Sequence, residues 1–319
     1  MSLRVRELRV QLGEGSHPVQ VLRGVDLELA PGKVTGLVGE TGSGKSMTAL
    51  AAMGLLPGNA RIVSGRIRLD GRDLLTLTED DWEGVRGREL AIIFQNAKEA
   101  LHPLIPIGRQ IARLHQRHHG SNGEVALESA TKMLRDVGLS DAEEQLDAFP
   151  HQLSGGQCQR VMNAMALICS PRVLIADEPT SGLDVTVQQQ VLAKLLERVR
   201  EAETTVLLIS HDMGLIRKAC DFLAVMYAGQ VVEFGSREQV LGGPAHPYTR
   251  ALLSCLDPKA DRMAFVPGSV PDLREPIAGC AFANRCPDVM DECHSYEPLP
   301  YEIHIGQWVR CLLHREKTI

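Results

Sequence analysis

The run "VTGLVGETGSGKS" (residues 34–46) constrains what this chain can fold into more than any other segment. A short apolar stretch of strand character enters a glycine-rich turn, and helical spacing resumes in "GKSMTALAAMGLL". Glycines at 39, 42 and 44 let successive backbone N–H groups face one centre, and the start of the helix adds positive potential there. The spacing G-x-x-x-x-G-K-[ST], flanked by strand and helix, predicts a phosphate cradle made of Gly39, Glu40, Thr41, Gly42, Ser43, Gly44, Lys45 and Ser46. In such a cradle Lys45 reaches the β- and γ-phosphates of ATP, and the Ser46 hydroxyl binds Mg2+.

Further strands read as buried apolar runs: "LAIIF" (90–94), "RVLIADE" (172–178), "TVLLIS" (205–210) and "FLAVMYAG" (222–229). Helix-length segments such as "VTVQQQVLAKLLERVREA" alternate with them, which predicts an α/β domain with a mainly parallel sheet. The opening "MSLRVRELRVQL" alternates apolar and charged residues, as half-exposed antiparallel strands do. Residues 96–150 are more polar and helical in pattern, so a helical subdomain is expected at about 96–170, inside a nucleotide-binding domain of residues 1–255. Pro258, Pro267, Pro271 and Pro276 then mark a linker into a small module at 256–319.

"RVLIADEP" supplies the partner of the phosphate loop. An apolar strand that ends in two carboxylates calls for a cation: Asp177 holds the Mg2+ sphere and Glu178 polarises the attacking water. The net charge of −6 and the lack of basic runs argue against nucleic acid as a partner. The N-terminus has no continuous apolar core of the signal-peptide kind, and no apolar run reaches the roughly 18–20 residues that cross a bilayer. A cytoplasmic chain is expected, in which eight cysteines do not form a disulfide framework.

Between these motifs stands "LSGGQCQRVMNAMAL" (153–167), and with it the chain resembles the ABC-type ATPases. The resemblance covers essentially the whole chain. Ser154, Gly155, Gly156 and Gln157 match the family's signature and open a helix whose N–H groups offer a second anion site. Gln95, after "LAIIF", resembles the glutamine that contacts Mg2+ and water, and His211 in "LLISHD" resembles the histidine that contacts the γ-phosphate. Asp184 in "SGLD" either joins two subunits across the site or caps a helix. The resemblance implies a P-loop fold and a head-to-tail dimer in which one subunit's signature closes over the other's ATP. The family usually stacks adenine on an aromatic residue near 13–21; here only His17 offers a flat ring.

"GGPAHPYTRALLSCL" (242–256), "PGSVPDL" (267–273) and "GCAFANRCP" look like the ATPase subunits of oligopeptide, dipeptide and nickel importers. That resemblance implies two membrane permeases, a homologous ATPase subunit or a second copy, and indirectly an extracytoplasmic solute-binding protein. The chain would then sit peripherally on the cytoplasmic face of the inner membrane. Cys280, Cys286, Cys293 and Cys311 are spaced C-x5-C-x6-C-x17-C, without the tight knuckles of zinc sites. A [4Fe–4S] cluster, which this importer subfamily carries in that region, zinc, and four reduced structural thiols are the three readings. Cys158, Cys169, Cys220 and Cys255 read as small core residues, and "HQRHH" (115–119) as a solvated helix end. A soluble ATPase acting on nucleic acid or ribosomes is the rival reading. The absence of sustained heptads between the two motifs and the single ATPase half count against it.

Overall fold

The computed structural model describes residues 2–14, 18–255, 266 and 268–315. The chain divides into two compact units: residues 1–2, 29–33 and 76–209 form the first, and 3–28, 34–75 and 210–319 the second.

In the first unit, strands Leu90–Ile93, Val173–Asp177 and Thr205–Ile209 lie side by side in parallel. Every residue of the latter two is buried, which is why both sequences are continuously apolar rather than alternating. Helices pack around them because their apolar residues recur at helical spacing. Gly155–Leu167 buries Cys158, Val161, Met162, Ala164 and Leu167. Ile107–His119, which ends on the left-handed Gly120, buries Ile107 and Ile111, and Gly123–Asp136 buries Ala126, Ala130 and Leu134. The last turn of Ile107–His119 carries His118 and His119 of "HQRHH"; one turn earlier, His115 Nδ1 lies 2.8 Å from Ser121 Oγ, and its ring packs on His119.

In the second unit an antiparallel sheet is built from Leu3–Leu12, flanked by Val19–Leu29 and Ala60–Leu69, with the short Arg72–Asp73 at the edge. Leu3 and Val5 face inward by alternation, and a bulge at Glu7, where φ is +46°, shifts the register so that Leu8 and Val10 do too. The buried strand Val34–Val38 pairs in parallel with Phe222–Tyr227, whose other neighbour is the antiparallel Gln230–Ser236. A C-terminal hairpin, Tyr301–His304 and Gln307–Val309, extends this row by pairing Gln307–Val309 with Gln230–Ser236. The cysteine-bearing segment is otherwise short 3-10 turns, including Ala283–Arg285 and Asp291–His294.

Arginines fasten this segment to the rest of its unit. Arg310, 7% exposed, pairs with Asp26 at 2.7 Å and Glu7 at 3.3 Å, and the buried Arg23 pairs with Glu297 at 3.5 Å. Phe282 is fully buried against Tyr227, Tyr248 and His246. With so small an apolar core of its own, the segment draws its cohesion from these contacts.

Candidate functional site

The second unit carries the phosphate loop. Strand Val34–Val38 delivers Gly39, where a Cβ would lie 2.1 Å from the carbonyl oxygen of Met226, so only glycine fits the close approach. The helix Lys45–Ala52 starts from Gly44, left-handed at φ +106°. A Cβ there would also meet Leu22 at 2.7 Å. Among the described residues no side chain caps this helix and no acidic residue stands in its first turn, which leaves its positive end without a competing carboxylate.

Lys45 donates to the carbonyls of Gly39 at 2.9 Å and Glu40 at 3.0 Å. Ser43 Oγ is buried and has no hydrogen-bond partner among the described residues, while Thr41, Gly42 and Ser46 are exposed. A glycine-shaped loop, a cation and a helix start without a side-chain cap fit a polyphosphate. The loop is braced from behind. Gly229 N–H donates to Ser43 O at 2.9 Å, Glu40 N–H donates to Tyr248 Oη at 2.9 Å, and the Glu40 carboxylate is held by Arg285. His211 is exposed, directly before Asp212, whose carboxylate caps the helix Met213–Ala219.

The first unit carries the carboxylates and the signature. Strand Val173–Asp177 ends on Asp177, which is 7% exposed. Glu178 follows with φ +46°, a left-handed conformation that a residue with a side chain adopts only when its surroundings enforce it. Its N–H donates to Ile209 O at 3.0 Å, which locks the turn to the neighbouring strand. Gln95 Nε2 donates to Glu178 Oε2 at 2.9 Å, so two of the expected residues, 83 positions apart, meet directly.

The signature helix differs from expectation in one respect. Ser154 and Gln157 form a capping box: Gln157 N–H donates to Ser154 Oγ and Ser154 N–H to Gln157 Oε1. Two N–H donors are thereby already engaged, and Gly155 and Gly156 retain the helix-start positions. Asp184 caps the helix Val185–Glu201 by accepting from Val187 N–H at 3.0 Å. His17 lies outside the described residues.

The four C-terminal thiols build no metal centre: among the described residues no three of His, Cys, Asp and Glu come together to hold a metal ion, and all eight cysteines are free. Burial pushes Cys280 up to about 11, with Cys293 and Cys286 adding to the rise. Cys311 is pushed up to about 12 by burial first and then by the other three thiols. The four therefore lie within one another's fields but do not form a ligand shell, and neither the iron–sulfur nor the zinc expectation gains support here. Of the others, Cys158, Cys169 and Cys220 are buried and Cys255 is half-buried. Burial raises Cys169 to about 11 and Cys220 to about 12, as in inert structural thiols.

Arg285, Tyr227 and Tyr248 around Glu40 were not legible as site residues. They stand up to 245 positions from the loop, and no spacing rule links them to it.

A buried strand that enters a glycine-rich phosphate loop and then a helix defines a P-loop nucleotide hydrolase of the α/β class. Residues 22–181 match the family described as ABC transporter, and residues 232–293 match the oligopeptide/dipeptide transporter C-terminal region. The oligopeptide transport ATP-binding protein AppD of Bacillus subtilis is 40% identical over 319 residues, 99% of this chain and 97% of that protein. The dipeptide transport ATP-binding protein DppD of Escherichia coli is 40% identical over 312 residues, covering 97% and 95%. Among solved structures, the ATP-binding cassette MJ0796 in a post-hydrolysis state bound to ADP and Pi matches with a TM-score of 0.67 at 24% identity. That match covers 74% of this chain and 98% of that one, and it shows the same fold. The chain belongs to the ABC transporter family and is an ATP-hydrolysing subunit whose turnover is coupled to transport. Nothing found supports the nucleic-acid alternative.

Proposed function

We propose that this chain hydrolyses ATP to drive peptide uptake through two separate membrane permeases, supplied by an extracytoplasmic solute-binding protein. The observation that carries the reading is the peptide-transporter C-terminal region at 232–293, together with relatives 40% identical over nearly the full length. Among the described residues no helix is long and apolar enough to cross a membrane. This fits a peripheral subunit on the cytoplasmic face that borrows its membrane path from partners.

In this reading the backbone of residues 39–46 holds the β-phosphate and Lys45 leaves the Gly39 and Glu40 carbonyls for the β- and γ-phosphates. Ser46, Gln95 and Asp177 would hold the Mg2+ that accompanies ATP, and the ion would offset the charge of the phosphates. Glu178 draws a proton from the water that attacks the γ-phosphorus; the bond to the bridging oxygen breaks, and ADP and phosphate leave. The amide of Gln95, already on the Glu178 carboxylate, orients it toward that water. His211 contacts the γ-phosphate, and a partner's Ser154–Gln157 segment closes the site from the other side. The partner is a homologous ATPase or a second copy, and Asp184 joins the two. The loop after Gln95, where Leu104 is 79% exposed, is the surface offered to the permease.

Peptide and nickel-chelate uptake are separated by one experiment. In cells carrying Lys45→Ala in the chromosome, labelled di- and oligopeptide uptake falls to background while nickel uptake is unchanged. The reverse pattern would reassign the cargo. The iron–sulfur reading rests on four thiols gathered in one region. It is tested by iron and sulfide analysis of anaerobically purified protein, in which Cys286→Ser lowers both; full retention of both in that variant would overturn the assignment to these cysteines.

A further inference from the structure

Glu40, second in the phosphate loop, has a carboxylate gripped from near the other end of the chain. Arg285, 8% exposed, donates from Nη1 to Glu40 Oε2 at 2.9 Å and from Nη2 to Glu40 Oε1 at 3.0 Å. This is the two-point fork that only a guanidinium provides. The same guanidinium donates to Tyr227 Oη at 3.1 Å and to Val266 O at 2.9 Å. Arg285 is thus fixed on several sides before it touches the loop. Glu40 is fixed at its backbone as well, through its N–H bond to Tyr248 Oη. Lys45 rests on the Gly39 and Glu40 carbonyls, so whatever places Glu40 also places the lysine that must reach the nucleotide.

A carboxylate inside a phosphate-binding loop repels the phosphate unless its charge is matched. We infer that Arg285 is a positioning residue for nucleotide binding: it neutralises Glu40 and holds the first turn of the loop in the shape that receives the β-phosphate. The inference deepens the ATPase reading and rests on it. It also gives the segment between Cys280 and Cys286 a task that is independent of any metal, as a brace for the phosphate loop.

The test uses full-length protein, with MgATP affinity read from a fluorescent ATP analogue, steady-state turnover, and thermal unfolding. Arg285→Ala is expected to weaken nucleotide binding by about tenfold or more. The loss should appear in KM, with kcat at saturation nearly kept, as for lost ground-state binding. Arg285→Lys, which keeps the charge but not the fork, should fall between Ala and wild type. Arg310→Ala is the control: it also removes an arginine that fastens the C-terminal segment, but one paired with Asp26 and Glu7 away from the loop. It should lower the melting temperature and leave ATP affinity unchanged.

Unaltered affinity in Arg285→Ala, or an equal loss in Arg310→Ala, would overturn the inference. Where Arg285→Ala does not fold, a folded Arg285→Lys with wild-type affinity does the same. Wild-type protein that binds no nucleotide would overturn the ATPase reading itself.

Discussion

At Glu178 a left-handed backbone and the Gln95 amide fix one carboxylate, next in sequence to the buried Asp177. Glu178→Gln keeps the shape and the contact with Gln95 but removes the base. Steady-state ATP turnover should fall by about 10²–10⁴-fold with nucleotide binding retained; unchanged turnover would take the role away. His246 makes a different prediction. It is fully buried, its Nδ1 accepts from Tyr248 N–H, and burial, with Arg250 and His314 adding, holds its pKa down at about 3. The unfolded chain takes up a proton near 6.5 that the folded state refuses. Stability is therefore complete above 6.5 and declines as the pH falls toward about 3, by up to about 1.4 kcal/mol per pH unit from this group. His246→Asn keeps a helix-capping acceptor and cannot titrate, so its melting temperature should fall less steeply between pH 6.5 and 5. Equal slopes would refute the assignment. The placement of the loop glycines and Lys45 between strand and helix, and of Asp177 and Glu178 at a strand end, was readable because it depends on local spacing. Arg285 and Tyr248 were not, since an ion pair across 245 positions leaves no periodic trace.

Elements buried on both faces were the most legible. "VTGLVG", "RVLIADE" and "TVLLIS" became Val34–Val38, Val173–Asp177 and Thr205–Ile209 because continuous apolar sequence has few other places to go. The C-terminal hairpin went unread. Its strands span only Tyr301–His304 and Gln307–Val309, too short for a pattern, and they form by adding to the edge of an existing strand. The signature was found by its residues, but its capping box was not, although S-x-x-Q is itself a capping pattern. Asp184 shows how an element's need and a site's need are told apart. Asp184→Asn preserves the cap on Val185–Glu201, whereas Asp184→Ala loses about 1 kcal/mol of stability by thermal or denaturant unfolding. If Asp184 also joins two subunits, Asn lowers ATP turnover at an unchanged melting temperature. Full turnover in Asn confines Asp184 to capping.

For the whole molecule, the phosphate loop and the signature lie in different units of one chain; if, as proposed, a partner's signature completes the site, assembly depends on ATP. Glu178→Gln with MgATP should therefore shift toward a dimer, alone or with a homologous ATPase, in light scattering after size exclusion; a nucleotide-independent mass would contradict that. Function as a peptide importer is a property of the assembly. The most direct test is to tag this chain in its native cells, purify it anaerobically from detergent-solubilised membranes, and identify what accompanies it by mass spectrometry. Two multi-span permeases recovered with an ATPase pair are the predicted result. Recovery only from the soluble fraction, with nucleic acid or ribosomal proteins attached, would contradict it.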